Sequence, residues 1–518
     1  MNTPYDFKAS HKNWITYLGL WVAVILLITG GTGNLTVAAQ EPYRWSPDQR
    51  VPDYLDDTYT PFLLADQNRT VHAFANQWVG DENSQLAIVY RQWSLDGGWT
   101  APVDILLSPV GGAQILGAFL DQEGMMHVAF WGGEARAASL YYARAPAANA
   151  GRAPAWSSPR LVGEGLSYPP SGALVGDDKG NLVIVYSGNR DGNGVYESHS
   201  SDAGDSWSEP APIFLTYDPD LVPFSVRATM GHSGQLHAVW NVVTFEGNDK
   251  SVHYARLDVA SQQWSDPVLL EERIDKEGFF GPSFPVVADA GDRLVVMYNS
   301  GNPDTGGPVA AGRPVQRVRL SNDGGRTWRG AETPFPNHLG RSGEHSLVVD
   351  SNNVVHALFM QRIETSVNGV PTVIDGPWHS ALSGNNQWSE PNNFRATWSP
   401  HDLRAVVSQG NVLLVTWRQD PGEGQNGVWY SYTMLDAPEL PVVPLPTPSP
   451  TPTATATPAP TPPSPTPTPM RPASISQEPA SGRPAGAPAI PLVLGLVPVV
   501  LLLAGIILVQ QLQHYRRP

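Results

Sequence analysis

The chain has 518 residues, a formal net charge of −16 and no cysteine. Its length and its 41% hydrophobic content provide for a large core, and the lack of cysteine excludes disulfides, thiolate catalysis and cysteine metal ligands. The dispersed negative charge argues against nucleic acid or anionic lipid as a partner of the folded part.

The N-terminus has the pattern of an export signal. Lys8 and Lys12 precede an apolar run over residues 14–28, and residues 37–39 have the small-residue spacing of a signal-peptidase site. This pattern predicts a signal peptide over residues 1–39, and an uncleaved N-terminal anchor is the alternative.

The region that follows is built from repeats. One series consists of tryptophans that usually precede Ser and a nearby Pro: Trp45, Trp99, Trp156, Trp207, Trp264, Trp328 and Trp388. The second consists of one fixed position in an apolar strand after a turn: His72, His127, Val183, His237, Val295, His356 and Leu414. Both series advance by 51 to 64 residues and average about 57, so they count the same unit. A repeat of this length with alternating apolar residues predicts one four-stranded blade of a β-propeller.

Seven copies in each series predict an all-β propeller of about seven four-stranded blades over residues 43–436, with six blades as the alternative. The last unit lacks its own Trp-Ser-Pro strand, whereas Trp45-Ser46-Pro47 has no blade of its own. We therefore predict that residues 45–55 complete the blade that contains residues 429–432. Such closure removes an exposed sheet edge without a disulfide.

Three turns share the motif S-x-D-x-G-x-[ST]-W: residues 200–207, residues 321–328 and, in shortened form, residues 94–99. In such a turn Asp accepts hydrogen bonds from nearby backbone amides, Gly supplies a positive φ and Trp packs under the next strand. The motif resembles the Asp-box of the sialidase-like (BNR repeat) β-propellers. This resemblance implies a propeller over residues 43–436, with the boxes at the blade periphery and away from the central pocket.

A sialidase of that family has six blades, an arginine triad for the substrate carboxylate, a Tyr nucleophile with a Glu partner, and an acid/base Asp. The family's Arg-Ile-Pro motif is expected on an early inner strand, which here reads Thr60-Pro61-Phe62-Leu63. Arg227, Arg341 and Arg404 supply a candidate triad, whereas no Tyr and Glu pair can be assigned. The resemblance thus implies the fold and leaves the activity open.

Candidate ligand-binding residues lie where the innermost strands begin, around the predicted channel mouth. Aligning these strands from their turns places six polar residues in one register: Thr60, Ser171, Ser225, Ser283, Glu344 and Asp402. Arg227 and Arg404 follow two residues later, and residues two apart project to the same side of a strand. Further candidates lie nearby: Arg341, His345, His401 and Arg418. Arginines beside carboxylates in a concave site suit an acidic sugar or another carboxylate, and ion pairs between blades are the alternative.

The remaining chemistry-bearing residues predict structural roles. His72, His127, His237 and His356 share one position in four blades, so symmetry spreads them around the ring as hydrogen-bonded core residues. No zinc, P-loop, dinucleotide or Gly-x-Ser-x-Gly signature occurs, so we expect neither a metal nor a cofactor.

The C-terminal part predicts attachment to a membrane. Residues 437–489 are rich in Pro, Thr and Ser and predict a disordered, extended stalk. Residues 490–509 form an uncharged run of 20 residues that is long enough to span a bilayer as a helix. The arginines at 516 and 517 place residues 510–518 in the cytoplasm and the propeller outside the cell.

These features favour a monomeric, surface-anchored propeller that binds a glycan or another extracellular ligand. Glycoside hydrolysis of the exo-sialidase type is one alternative, and the docking of a protein on the ring is another.

Overall fold

The computed structural model describes residues 43–446, except for residues 81–83, 135–136, 276–278, 292, 302–313, 339–344, 368–369, 396, 398–399, 421 and 423–424 and the side chains of residues 362–373. The predicted signal peptide, the stalk beyond residue 446, the membrane helix and the cytoplasmic tail lie outside the described residues. In the part that is described, no helix has the length and apolar content needed to cross a membrane.

The described residues form seven antiparallel sheets, which follow one another in chain order as the blades of a ring. Blade 1 contains β2 (Phe62–Ala65), β3 (Val71–Val79), β4 (Gln85–Ser94), β5 (Gly98–Trp99) and β6 (Val103–Leu106). Blade 2 contains β7 (Gly112–Leu120), β8 (Met125–Glu134), β9 (Ala137–Pro146) and β10 (Arg160–Glu164). Blade 3 contains β11 (Gly172–Gly176), β12 (Leu182–Gly188), β13 (Gly194–Ser200) and β14 (Ala211–Leu215).

Blade 4 contains β15 (Leu221–Met230), β16 (Gln235–Thr244), β17 (Asp249–Asp258), β18 (Gln263–Trp264) and β19 (Val268–Glu272). Blade 5 contains β20 (Ser283–Asp289), β21 (Leu294–Gly301) and β22 (Pro314–Ser321). Blade 6 contains β23 (His345–Val349), β24 (Val355–Val367), β25 (Val370–Leu382) and β26 (Asn392–Asn393). Blade 7 contains β27 (His401–Ser408), β28 (Val412–Gln419), β29 (Gly427–Met434) and β1 (Gln49–Arg50).

This architecture confirms the predicted all-β propeller and decides for seven blades. The outermost strand is split into two pieces in blades 1 and 4, and in blade 5 it is reduced to a bridge between Val318 and Glu332. Each innermost strand contacts the innermost strand of the next blade, and β27 contacts β2, so the ring is closed. Two short 3₁₀ turns, Ala147–Asn149 and Ala153–Ala155, are the helical elements of the described chain.

The core lies between the blades. Each pair of neighbouring blades shares an apolar cluster, because both faces of a blade's inner strands meet another blade. In β12 every residue is buried, as expected for a strand covered on both faces. The ring is therefore held by packing between sheets, without a disulfide.

The N-terminal strand closes the ring as predicted. Gln49 pairs with Tyr430 and Arg50 pairs with Trp429, so β1 is the outermost strand of blade 7. Additional backbone bonds extend the contact, from Ser46 N to Tyr432 O (2.8 Å) and from Val51 N to Val428 O (2.8 Å). Blade 7 thus combines both ends of the folded region.

The two full copies of the turn motif have the same internal hydrogen bonds. Asp202 accepts from Ser206 N (2.8 Å) and Ser206 Oγ (2.6 Å), and Asp323 accepts from Thr327 N (2.8 Å) and Thr327 Oγ1 (2.6 Å). These bonds lower the pKa of Asp202 and that of Asp323 to about 2. Both turns follow the third strand of their blades, which places them outside the central channel.

The core histidines are buried and hydrogen-bonded, which confirms the structural role predicted for them. His127 lies between Tyr142 OH (2.6 Å) and Asp121 Oδ2 (3.1 Å), and His72 lies between Tyr90 OH (2.6 Å) and Asp66 Oδ2 (3.2 Å). His237 occupies the same position in blade 4 and bonds to Tyr254 OH. His356 occupies it in blade 6 and bonds to His379 Nε2 and Asp350 Oδ2.

Burial makes the stability of the ring dependent on pH. It lowers the pKa of His237, His253 and His338 to about 4, whereas an unfolded histidine titrates near ~6.5. Between these values the unfolded chain binds protons that the folded chain does not, so acidification destabilises the fold. Asp249 has the opposite effect on stability. Burial raises its pKa to about 7, so the folded chain binds a proton that the unfolded chain does not, and acidification stabilises the fold at this residue.

We expect the free energy of unfolding to decrease on acidification from about pH 6.5 to about pH 4, by an amount on the order of 1–3 kcal/mol per buried histidine, partly offset by the opposite contribution of Asp249. Denaturant unfolding across this range measures the decrease. His237→Gln should make the decrease shallower, because the variant lacks one of the buried histidines that cause it. An unchanged slope in this variant would contradict the assignment.

The chain after blade 7 crosses the face of the ring opposite the channel mouth. Three of its hydrogen bonds reach turns of blades 6, 7 and 1: Ser351 Oγ to Pro438 O (2.5 Å), Leu440 N to Gln409 O (2.8 Å) and Val443 N to Gln67 O (3.0 Å). An ion pair between Arg69 and Glu439 adds to them. Residues 437–446, which the composition places in the stalk, therefore pack against the propeller.

Candidate functional site

A cavity of about 430 Å³ opens at the channel mouth, where the innermost strands begin. All seven blades contribute to its lining through β2, β7, β11, β15, β20, β23 and β27 or the residues just before them. Its polar lining comprises Tyr59, Thr60, Asn76, Gln114, Ser171, Ser225, Arg227, His345, Ser346, Asp402 and Arg404. Apolar side chains such as Phe62, Leu116 and Phe224 lie between them.

A β-bulge occurs in β7 between Ile115 and Gly117, and bulges occur at the same level in three further innermost strands. In β15 the pairing shifts between Phe224 and Arg227, in β20 between Ser283 and Val286, and in β27 between His401 and Arg404. The extra residue has a positive φ in each case: Ser225 (48°), Phe284 (51°) and Asp402 (53°). Such a conformation is unfavourable for residues other than glycine and concentrates at functional sites.

The bulge brings Arg227 and Arg404 into equivalent positions on blades 4 and 7. Each side chain is half-buried and lines the cavity. Arg227 donates from Nη1 to Val226 O (3.0 Å), and Arg404 donates from Nη1 to Leu403 O (2.9 Å). The two guanidinium groups therefore have the same local support and enter one cavity from two blades.

Asp402 contributes a carboxylate to the cavity. Its burial favours the neutral form, but the hydrogen bond from His401 and the positive charges of His401, Arg404 and Arg418 outweigh burial and lower its pKa. His401 lies between Asp402 Oδ2 (3.2 Å) and Asp420 Oδ2 (3.0 Å), and the bond to Asp402 raises the pKa of His401. Asp402 is thus held ionised.

Arg418 and His401 lie beside the cavity and do not line it. Arg418 pairs with Asp420 (2.9 Å) and donates to Thr58 O (2.6 Å) and Asp56 O (2.8 Å). These bonds tie blade 7 to the segment before blade 1. Arg418 was predicted to bind the ligand. Its bonds instead correspond to the alternative, in which the arginines join neighbouring blades.

The other predicted site residues are only partly described. His345 is buried, lines the cavity and donates from Nε2 to Met297 O (3.3 Å). Arg341 and Glu344 lie outside the described residues. Of the eight predicted residues, Arg227, His345, Asp402 and Arg404 are thus brought together at the mouth.

Ser283 does not share the position of Ser225 and Asp402 that the sequence predicted for it. Ser283 aligns with Phe224 and His401, and Phe284 is the residue equivalent to Ser225 and Asp402. The turn of blade 5 is shorter by one residue, since Ala288 pairs with Val295 whereas Thr229 pairs with His237. Counting back from the turn therefore shifts blade 5 by one position.

Two cavity residues also join neighbouring blades. Asn76 Oδ1 accepts a hydrogen bond from Ile115 N (2.9 Å), and Ser171 Oγ accepts one from Val226 N (2.5 Å). Both amides lie where a bulge interrupts strand pairing, so the side chains satisfy donors that the ladder cannot. Asn76 was not predicted from the sequence, because bulges leave little signal in the apolar pattern.

A Tyr and Glu pair does exist in the structure, away from the mouth. Tyr298 OH donates to Glu271 Oε2 (2.7 Å), and Arg317 Nη2 lies 3.2 Å from the same oxygen. Tyr298 is fully buried between blades 4 and 5 and does not line the cavity. This pair therefore cannot serve as a sialidase nucleophile and partner at the mouth.

No protein-family model and no curated protein matches the sequence. Several solved structures are similar to it. A protein of unknown function from Dyadobacter fermentans is 15% identical over 76% of this chain and 99% of its own, with a TM-score of 0.45. A polysaccharide lyase described as an ulvan lyase is 11% identical over 76% of this chain and 96% of its own, with a TM-score of 0.47. An α-L-arabinofuranosidase from Podospora anserina is 14% identical over 54% of this chain and 96% of its own, with a TM-score of 0.31. These similarities are too distant to assign an activity.

Proposed function

We propose that the channel mouth binds an acidic sugar residue of a glycan. The observation that carries this proposal is the entry of Arg227 and Arg404 into one cavity from equivalent bulges of blades 4 and 7. A carboxylate or sulfate between two guanidinium groups accepts charge-assisted hydrogen bonds from both. Hydroxyl and amide side chains such as Ser171 and Gln114 can pair with sugar hydroxyls.

Binding is favoured over hydrolysis by the state of the carboxylate. Hydrolysis by the two-carboxylate route needs one acid with a raised pKa and a second carboxylate at a defined separation. Among the described lining residues Asp402 is the single carboxylate, and its pKa is lowered. Asp402 is therefore suited to accept hydrogen bonds from hydroxyls and unsuited to donate a proton.

An array that carries acidic and neutral glycans tests the proposal. We expect the protein to retain sialylated, uronic-acid or sulfated glycans over their neutral counterparts, and the preference to weaken at high salt because it rests on charge. A fluorogenic sialoside should show little or no turnover. Equal retention of acidic and neutral glycans would contradict the proposal, and clear turnover would establish the hydrolase alternative.

We further propose that residues 490–509 hold the propeller at the outer surface of the cell. The expected result is release of soluble, folded propeller when a protease site inserted near Thr461 is cut on intact cells. The cut leaves residues 437–446 on the ring, so the propeller should keep its stability. Retention of the cut propeller in the membrane fraction would instead indicate an uncleaved N-terminal anchor.

A further inference from the structure

The exposed Tyr, Trp and Phe side chains of the described residues concentrate on the mouth face, where innermost strands begin and second strands end. They are Tyr59, Trp78, Tyr168, Tyr217, Phe245 and Phe280. On the opposite face the large exposed apolar side chains are aliphatic: Met434, Leu440, Val442 and Val443. Aromatic rings left in water around a cavity are typical of a binding surface.

Three of these rings, Tyr217, Phe245 and Phe280, lie in loops on the mouth face of the neighbouring blades 4 and 5. Phe245 N donates to Asp220 O (3.2 Å), which joins the hairpin between β16 and β17 to the turn that carries Tyr217. Gly301 N donates to Phe280 O (3.1 Å), which fixes the segment before β20. The turn that carries Tyr217 leads directly into β15, which carries Arg227.

Tyr217 combines high exposure with backbone strain. Its side chain is 92% exposed and its φ is 55°, a conformation that is costly for a bulky residue. Thr216 Oγ1 donates to Asp218 O (2.9 Å), and Leu221 N donates to the same oxygen (3.1 Å), so the turn is held in this form. Neither the exposure of Tyr217 nor its backbone strain stabilises the propeller. This indicates that the aromatic side chain of Tyr217 serves in binding.

The surroundings of these rings define the chemistry of the partner. Asp218, Asp220 and Glu246 are exposed and lie between the rings along the chain. Their carboxylates can accept hydrogen bonds from hydroxyls and repel other anions.

We propose that the ligand is a carbohydrate chain in which an acidic sugar is followed by neutral sugars. The proposal rests on the binding function assigned to the mouth. The acidic sugar lies between Arg227 and Arg404, and the next sugars stack their apolar faces on Tyr217, Phe245 and Phe280. A chain that is acidic at every residue is disfavoured by the carboxylates beside these rings.

The test uses the full-length protein and immobilised glycans of one to six sugars, with sialylated, uronic-acid and sulfated series. In each series one acidic sugar is followed by neutral sugars. Affinity should rise by about tenfold or more from one to four sugars in the series that binds best, which corresponds to the free energy of one or two stacking contacts. Tyr217→Ala combined with Phe245→Ala should remove this rise and leave the affinity for the single acidic sugar unchanged.

A matched control and a second variant exclude a folding defect. Leu269→Ala removes an equally apolar, 50% exposed side chain from the outer strand β19, and it should keep the length dependence. Tyr217→Gly relieves the positive φ, so we expect it to raise the melting temperature while it weakens binding of the longer glycans.

The outcomes separate the two proposals. No binding of any acidic glycan overturns the function assigned to the mouth. Binding of the single acidic sugar without a gain from added sugars overturns the carbohydrate-chain inference alone. The carbohydrate-chain inference is also overturned if Tyr217→Ala combined with Phe245→Ala retains the dependence of affinity on glycan length.

Discussion

Replacing both Arg227 and Arg404 by Ala should reduce the affinity for an acidic glycan by about a hundredfold or more. Each guanidinium supplies a charge-assisted hydrogen bond worth ~1.5–3 kcal/mol, which is about tenfold or more in affinity per residue. Both side chains lie in the same cavity, so the two losses should fall on the same acidic group. Titration of the immobilised glycan with each single variant and the double variant measures the effect.

The control for this experiment is Arg190→Ala. Arg190 is on the mouth face, its side chain is 43% exposed, and it pairs with Glu209 outside the cavity (2.9 Å). Its removal changes the net charge as each single variant does, so it should alter binding only slightly. A loss in Arg190→Ala as large as in Arg404→Ala would indicate a general effect of charge and would refute the specific site.

Adding one methyl group at Gly204 should destabilise the propeller by roughly 2–5 kcal/mol. A Cβ at Gly204 would lie 2.0 Å from Tyr142 OH, and the residue has a φ of 86°. Tyr142 is also the partner of His127, so the turn of blade 3 packs on a hydrogen-bonded pair in blade 2. A Cβ at Gly325 would likewise lie 1.9 Å from Tyr254 OH. Denaturant unfolding of Gly204→Ala measures the loss.

Gly98→Ala separates the steric clash from the backbone conformation. Gly98 belongs to the shortened copy of the turn and has a φ of 65°, but a Cβ there would meet nothing within 4 Å. This variant should therefore lose only ~1 kcal/mol, from the positive φ. Equal losses in Gly98→Ala and Gly204→Ala would show that the contact with Tyr142 contributes nothing.

The fold was predictable because the determinants of a blade repeat along the chain. The series of Trp45 and of His72 each count seven units, and the unpaired Trp-Ser-Pro at residue 45 predicts closure of the ring. The shortened outer strand of blade 5 and the packing of residues 437–446 were not predictable. They depend on contacts between distant segments, which leave no periodic signal.

The site was predictable only where it follows the repeat. Arg227 and Arg404 share a register, so counting from the turns placed both at the mouth. Phe284 was missed because a turn one residue shorter shifts the count in blade 5. The exposed rings of Tyr217 and Phe245 were missed because loop residues have no register, and their value as a site depends on their exposure in the folded ring.

A structure of the protein with a bound acidic glycan is the decisive test of the proposed site at the mouth. We predict the carboxylate or sulfate between the guanidinium groups of Arg227 and Arg404, within ~2.7–2.9 Å of their nitrogens. We also predict hydroxyls of the same sugar within hydrogen-bond distance of Asp402. A glycan bound on the opposite face, or in the mouth with its acidic group directed away from both arginines, would contradict it.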